Sequence, residues 1–72
     1  MMTIVVNAVN SAKGMRYYVE YPEGKLHILN HRSLEWNLRN VFGLSKNEVI
    51  ATIHQLSPST AVRIEIGKEK VA

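Results

Sequence analysis

The segment 3–9, Thr-Ile-Val-Val-Asn-Ala-Val, is the feature that most restricts the fold of this chain. Its β-branched residues predict a strand. Both faces of that strand are apolar, one formed by Ile4, Val6 and Ala8 and the other by Val5 and Val9. A strand that is apolar on both faces is typical of the interior of a sheet. We therefore expect the rest of the chain to supply neighbours on both sides of it.

Two turns that contain glycine predict a meander in the N-terminal half. The segment 10–14 ends in Gly14, whose expected left-handed conformation closes a hairpin. Residues 15–21 then alternate between apolar and polar and predict a second strand. The segment 22–24, Pro-Glu-Gly, predicts a tight turn into a short third strand over 25–29.

Two helices are expected next. Ser33 is predicted to cap a helix that runs to about Phe42 and ends at Gly43. Ser45 and Glu48 have the spacing of a capping box, which predicts a second helix to about Leu56. Each helix has a predicted apolar stripe, formed by Leu34, Leu38, Val41 and Phe42 in the first and by Val49, Ile50, Ile53 and Leu56 in the second.

The alternation over 60–66 predicts a last strand, with Val62, Ile64 and Ile66 facing the core. We expect it to pair with the first strand, because that strand needs a second neighbour. The predicted fold is a single α+β domain over 1–72, ordered β-β-β-α-α-β. Its antiparallel four-stranded sheet has the order 3-2-1-4, with both helices on one face. The segment 67–72 is predicted to be a frayed tail.

Composition argues against several classes of function. A chain of 72 residues without Cys offers no disulfide framework and no thiolate metal site, and its six acidic residues are all Glu. No nucleophile elbow or phosphate-binding loop occurs in it. His27, His31 and His54 are candidate zinc ligands, but surface histidines are the favoured interpretation. The sequence thus predicts no catalytic residue, no metal site and no cofactor.

The charges are scattered along the chain. Nine Lys and Arg residues against six Glu give a net charge of +3, without the dense basic stripe of a dedicated nucleic-acid binder. No apolar run approaches the roughly 20 residues of a membrane span, and no signal-peptide pattern opens the chain. We therefore expect a cytoplasmic protein without a membrane partner or a small-molecule substrate.

Trp36 is the most informative single residue. Helical spacing places it about 160–200° from Leu34 and Leu38 of the apolar stripe, near Arg32 and Arg39. Trp and Arg are enriched in the hot spots of protein interfaces. Tyr18, Arg16 and Arg63 are expected to form a second exposed surface, on the open face of the sheet. The leading hypothesis is a non-catalytic interaction or regulatory module that binds a protein partner, or itself as a homodimer.

The segment 38–49, Leu-Arg-Asn-Val-Phe-Gly-Leu-Ser-Lys-Asn-Glu-Val, resembles the helix-turn-helix motif. Arg39 and Thr52 depart from it, since the motif has a small residue and an apolar residue at those positions. The resemblance implies that the second helix enters the major groove. Its base-reading residues would be Lys46, Asn47, His54 and Gln55. A plain αα-hairpin explains the same signals, so a DNA-binding regulator using residues 34–56 is the alternative hypothesis.

Overall fold

Six elements follow one another in the computed structural model, which describes residues 2–66. The predicted tail at 67–72 lies outside the described residues. The elements are β1 (Met2–Ser11), β2 (Gly14–Tyr21), β3 (Gly24–Ile28), α1 (His31–Asn40), α2 (Lys46–Gln55) and β4 (Val62–Ile66). This order confirms the predicted β-β-β-α-α-β succession.

The four strands form one antiparallel sheet in the order β3-β2-β1-β4, as predicted. β1 lies inside the sheet because it pairs on both sides, with Val6 opposite Val19 of β2 and opposite Val62 of β4. Ile4, Val6 and Ala8, on the helix-facing side of β1, are buried. On the other face Val5 lies between Glu20 and Arg63 and is half-buried. The apolar character of both faces therefore follows from the central position of the strand.

The core lies between the sheet and the two helices. Its five largest fully buried side chains are Ile4, Val6, Val19, Leu34 and Leu38. Phe42 and Leu44, which follow α1, complete one end of it. The ring of Phe42 packs edge-on against Tyr21, with 5.7 Å between the ring centroids. A chain that is apolar on one side of its sheet and on one side of each helix thus closes into two layers.

The first hairpin is tighter than predicted. Ser11 pairs with Gly14, so the loop contains only Ala12 and Lys13 and both strands continue to its edge. The Ser11 hydroxyl donates to the Gly14 carbonyl oxygen at 2.6 Å. Gly14 has a φ of 108°, which confirms the predicted positive φ. Ala12 and Lys13 do not have positive φ, so Gly14 supplies the left-handed residue that follows the turn and returns the chain to the sheet.

α1 begins earlier and ends earlier than predicted. Asn30, not Ser33, is its N-cap, and the Asn30 Oδ1 accepts the Ser33 backbone N–H at 2.8 Å. The helix ends at Asn40, with Val41 as its C-cap. Gly43, at a φ of 76°, then turns the chain so that the Leu44 N–H donates to the Leu38 carbonyl oxygen at 2.9 Å.

Val41 does not belong to the buried stripe of α1, contrary to the prediction. It is 55% exposed because it lies at the last turn, where the chain leaves the helix. There it lines an open apolar groove of about 310 Å³ with Tyr21, Leu26 and Phe42 among its neighbours. Leu44, beyond the turn, is buried instead.

α2 begins at the predicted capping box. The Ser45 N–H donates to Glu48 Oε1 at 2.8 Å, and the Glu48 N–H donates to Ser45 Oγ at 3.2 Å. The helix ends at Gln55. Ile50, predicted in the buried stripe, is 46% exposed, and Thr52 is buried instead. Thr52 tolerates burial because its hydroxyl donates to the Glu48 carbonyl oxygen at 2.8 Å.

β4 is shorter than the predicted strand over 60–66. Ser57 and Thr60 exchange two backbone hydrogen bonds of 3.0 and 3.2 Å around Pro58, so the strand starts only at Val62. Ile64 is half-buried, whereas Val62 and Ile66 are buried. Neither of the two ten-residue helices in the described part of the chain has the length and apolar content to cross a membrane.

Candidate interaction surfaces

The six residues predicted to bind a partner fall on two separate surfaces. Arg32, Trp36 and Arg39 lie on the outer side of α1. The other three, Arg16, Tyr18 and Arg63, lie on the face of the sheet that the helices do not cover. The core separates these two surfaces, so the structure does not join the six residues into one site.

The outer side of α1 follows from the helical spacing of its residues. Leu34 and Leu38 are fully buried against the sheet, and Trp36, which lies between them in sequence, points the other way. Trp36 is 60% exposed, which confirms the predicted outward position. An indole of this exposure leaves a large apolar surface in contact with water.

Trp36 forms part of an open groove of about 490 Å³ that we call the α1 groove. It is lined by Arg32, Glu35, Trp36, Arg39, Asn40 and Leu44. Leu44 reaches it because Gly43 turns the chain back toward α1. The Asn40 side-chain amide donates to the Trp36 carbonyl oxygen at 2.9 Å. The groove therefore combines an exposed indole with two guanidinium groups.

The positive charges of the α1 groove are not balanced by acids among the described residues. Within residues 2–66 the single contact of ion-pair length is the hydrogen bond between His31 Nε2 and Glu35 Oε2, at 2.9 Å. Arg32 and Arg39 therefore have no described carboxylate within ion-pair distance, and both are exposed. Glu35, the acid that lines the groove, already holds His31. This leaves the groove with two guanidinium groups available to a ligand.

The uncovered face of the sheet, which we call the open sheet face, is centred on Tyr18. Lys25 Nζ lies 4.7 Å from the centroid of the Tyr18 ring, in cation–π geometry. The ring of His27 packs beside Tyr18 at 6.1 Å between centroids. Arg16 Nη1 donates to the Leu29 carbonyl oxygen at 3.4 Å. Lys25, His27 and Arg16 therefore each make a contact within the chain on this face.

The open sheet face carries charges of both signs. Glu20 lies opposite Lys25 of β3, and Arg63 of β4 lies opposite Val5. Lys25 and His27 were not predicted as part of this surface. The signal for them is the tight turn at 22–24, which fixes the register of β3 against β2 and places them beside Glu20 and Tyr18.

The four residues of the predicted DNA-reading helix are all exposed on α2. They are Lys46, Asn47, His54 and Gln55. Lys46 is the one Lys or Arg on this helix, and the exposed Glu48 follows it in the first turn. Arg39 lies in the α1 groove rather than between the helices. The outer surface of α2 thus offers hydrogen-bonding groups with little positive charge.

The three histidines lie on different elements. His27 is on the open sheet face, His31 opens α1, and His54 is in the last turn of α2. Among residues 2–66 no group of three His, Cys, Asp or Glu side chains is placed to hold a metal ion. Every buried side-chain nitrogen or oxygen in this part of the chain has a hydrogen-bond partner.

Comparison with protein-family models, with curated proteins and with solved structures returns no match for this chain. The described residues form three candidate surfaces: the α1 groove, the open sheet face and the outer surface of α2. Of these, the α1 groove is the one that combines a large exposed apolar side chain with charges that have no described partner.

Proposed function

We propose that this protein is a non-catalytic interaction module that binds a protein partner through the α1 groove. The observation that carries the proposal is the exposure of Trp36 between Arg32 and Arg39. Trp and Arg are the residues most enriched among side chains that dominate binding energy. Burying an exposed indole under a partner also removes a large apolar area from water.

The open sheet face is the weaker candidate for the same role. Lys25 already covers the ring of Tyr18, and Glu20 lies opposite Lys25. A partner on this face would have to replace contacts that the chain makes with itself. In the α1 groove the exposed Trp36 and the two arginines require no such replacement.

Peptide selection tests the proposal directly. The immobilised protein is panned against a random peptide library, and binders are then measured by calorimetry on the native chain and on Trp36→Ala. We expect Trp36→Ala to weaken selected peptides by about 2 kcal/mol or more, or roughly 30-fold, which is the size of a hot-spot effect.

Ile50→Ala is the matched control, because Ile50 is an exposed apolar residue on the other helix. It is expected to leave binding within about twofold, as for residues outside a hot spot. Circular dichroism confirms that both variants are folded. Selected peptides that bind Trp36→Ala as tightly as the native chain would contradict the proposal.

Self-association is the other form of the same proposal. If the α1 groove binds a second copy, light scattering will show a dimer that Trp36→Ala converts to a monomer. A native chain that stays monomeric at the highest soluble concentration assigns the groove to a different protein.

DNA binding is the second candidate function. It is favoured by the exposure of Lys46, Asn47, His54 and Gln55 on a helix that follows a short turn after α1. A DNA binder loses affinity steeply with rising salt because it releases counterions. Fluorescence anisotropy with a generic duplex tests this at low and moderate salt, with Lys46→Gln as the variant. Absence of binding at low salt would exclude this function.

A further inference from the structure

The α1 groove has a definite charge spacing. Arg32 and Arg39 are seven residues apart on one helix, which separates their positions by about 10 Å along the axis at ~1.5 Å per residue. Trp36 lies between them, one turn from each. Along the helix, the groove thus presents a guanidinium group, the indole ring of Trp36 and a second guanidinium group, in that order.

Both guanidinium groups are suited to carboxylates. Arg presents a planar set of donors that matches a carboxylate in two parallel hydrogen bonds. No described acid lies within ion-pair distance of either of them, and Glu35, the acid in the groove wall, is hydrogen-bonded to His31 at 2.9 Å. Charge complementarity therefore calls for a ligand with two negative groups.

From this spacing we infer that the α1 groove binds an extended acidic peptide with two carboxylates three residues apart. In an extended polyproline-type peptide the rise is about 3.1 Å and three residues make one turn. Carboxylates three residues apart then lie on one side, about 9 Å from each other. This distance is close to the separation of the two arginine positions along the axis of α1. The inference rests on the proposed function and specifies the partner.

Other ligands fit the groove less well. A single-stranded nucleic acid prefers successive stacking platforms along a positive channel, whereas the groove has one indole and the acidic Glu35 in its wall. A second copy of the chain offers Glu20 and Glu23 at the required spacing. However, β2 ends at Tyr21, which pairs with Gly24, so the chain turns there and Glu20 and Glu23 do not lie along one extended segment.

A pair of short peptides tests the inference. One contains Asp-Leu-Pro-Asp between Gly-Ser ends, and the other has Asn in place of both Asp residues. Trp36 is the single tryptophan of the chain, so its fluorescence reports occupation of the groove. We expect the acidic peptide to bind at least about tenfold more tightly than the amide peptide, because charge-assisted hydrogen bonds are the stronger ones.

Charge variants test whether the preference for the acidic peptide depends on the two arginines. Arg32→Gln and Arg39→Gln are each expected to weaken the acidic peptide about tenfold and to leave the amide peptide unchanged. Arg63→Gln, which removes an exposed arginine on the open sheet face, is the matched control and should change neither. Binding of the acidic peptide should also weaken with added salt.

Three outcomes would overturn the inference. They are equal affinity for the two peptides, no binding of the acidic peptide, and tighter binding of an oligothymidine that displaces it. None of these removes the proposed function, which fails when the library yields no binder that depends on Trp36 and the native chain forms no dimer that depends on it. The two results are thereby distinguishable.

Discussion

Leu38 and Val41 lie one turn apart at the C-terminal end of α1 and have opposite surroundings. Leu38 is fully buried in the core, and Val41 is more than half exposed at the edge of an apolar groove. Both are aliphatic, so the difference comes from where the helix stops. This makes the two residues a matched pair for measuring what burial contributes to stability.

Leu38→Ala is expected to lower the free energy of unfolding by about 2–5 kcal/mol, because it removes buried methyl groups and leaves a cavity. Val41→Ala should change it by no more than about 0.5 kcal/mol, as for most surface substitutions. Urea unfolding followed by circular dichroism measures both. Similar losses in the two variants would show that the helix is rotated from its described position.

Thr52 shows where residue patterns fail to predict burial. By hydropathy, a Thr in this helix departs from the apolar pattern, and the same pattern puts Ile50 in the core. The Thr52 hydroxyl donates to the Glu48 carbonyl oxygen one turn earlier, and a polar group that is hydrogen-bonded can be buried at little cost. Hydropathy alone carries no information about this internal bond.

At the scale of the elements, the start of α1 depends on which of two residues, Asn30 or Ser33, is the N-cap. Asn30 accepts the Ser33 N–H at 2.8 Å, so Ser33 lies inside the first turn. A start at Asn30 adds a turn that contains His31 and lets it pair with Glu35. Ser33 and Asn30 are nearly equal as caps by type, and the sequence alone does not separate them.

Asn30→Ala is expected to destabilise the protein by about 1 kcal/mol, since it removes the cap. Ser33→Ala should cost no more than about 0.5 kcal/mol, because Ala is the best helix former at a position within the helix. Chemical denaturation of the two variants compares them. If Ser33→Ala were the less stable of the two variants, Ser33 and not Asn30 would be the N-cap.

The strands and turns were easier to predict than the helix limits. Gly14 and Gly24 mark both hairpins because their backbones have φ values of 108° and 154°, which few other residues adopt. The apolar faces of β1 predicted its central position, and from that the strand order. The exact ends differ because pairing with a neighbour can extend a strand through polar residues such as Asn10 and Ser11.

At the scale of the whole molecule, β1 is the strand that holds the sheet together. It pairs with β2 over 5–11 and with β4 over 2–6. β3 and β4 are the two edges. An edge strand can open without disturbing the rest, whereas opening of the central strand breaks the whole sheet.

Hydrogen exchange should follow this order. We expect the hydrogen-bonded amides of 4–6 in β1 to exchange only through global unfolding, and those of β3 to exchange through local opening at much lower free energy. Two-dimensional NMR after transfer to D₂O measures both sets. Equal protection of β1 and β3 would mean that the sheet opens as one unit.

The candidate site was predicted only in part, because it combines residues of α1 with a residue from the segment that follows it. Helical spacing was enough to place Trp36, Arg32 and Arg39 together on one side of α1. The groove itself also needs Leu44, which belongs to the next segment and reaches it through the turn at Gly43. The spacing of residues within one helix does not predict contacts with a segment outside that helix.

The unequal lengths of β1 and β4 have a practical consequence. Beyond Val6, within the described residues, β1 is paired only with β2, and every residue from 9 to 14 is exposed. A Cβ atom added at Gly14 would have open space around it, with no atom beyond its chain neighbours within 4 Å. The tip of this hairpin, at Ala12 and Lys13, is therefore a suitable attachment point for an affinity tag or a fluorophore. Exposed loop tips tolerate such insertions, and a label there would leave both helices untouched.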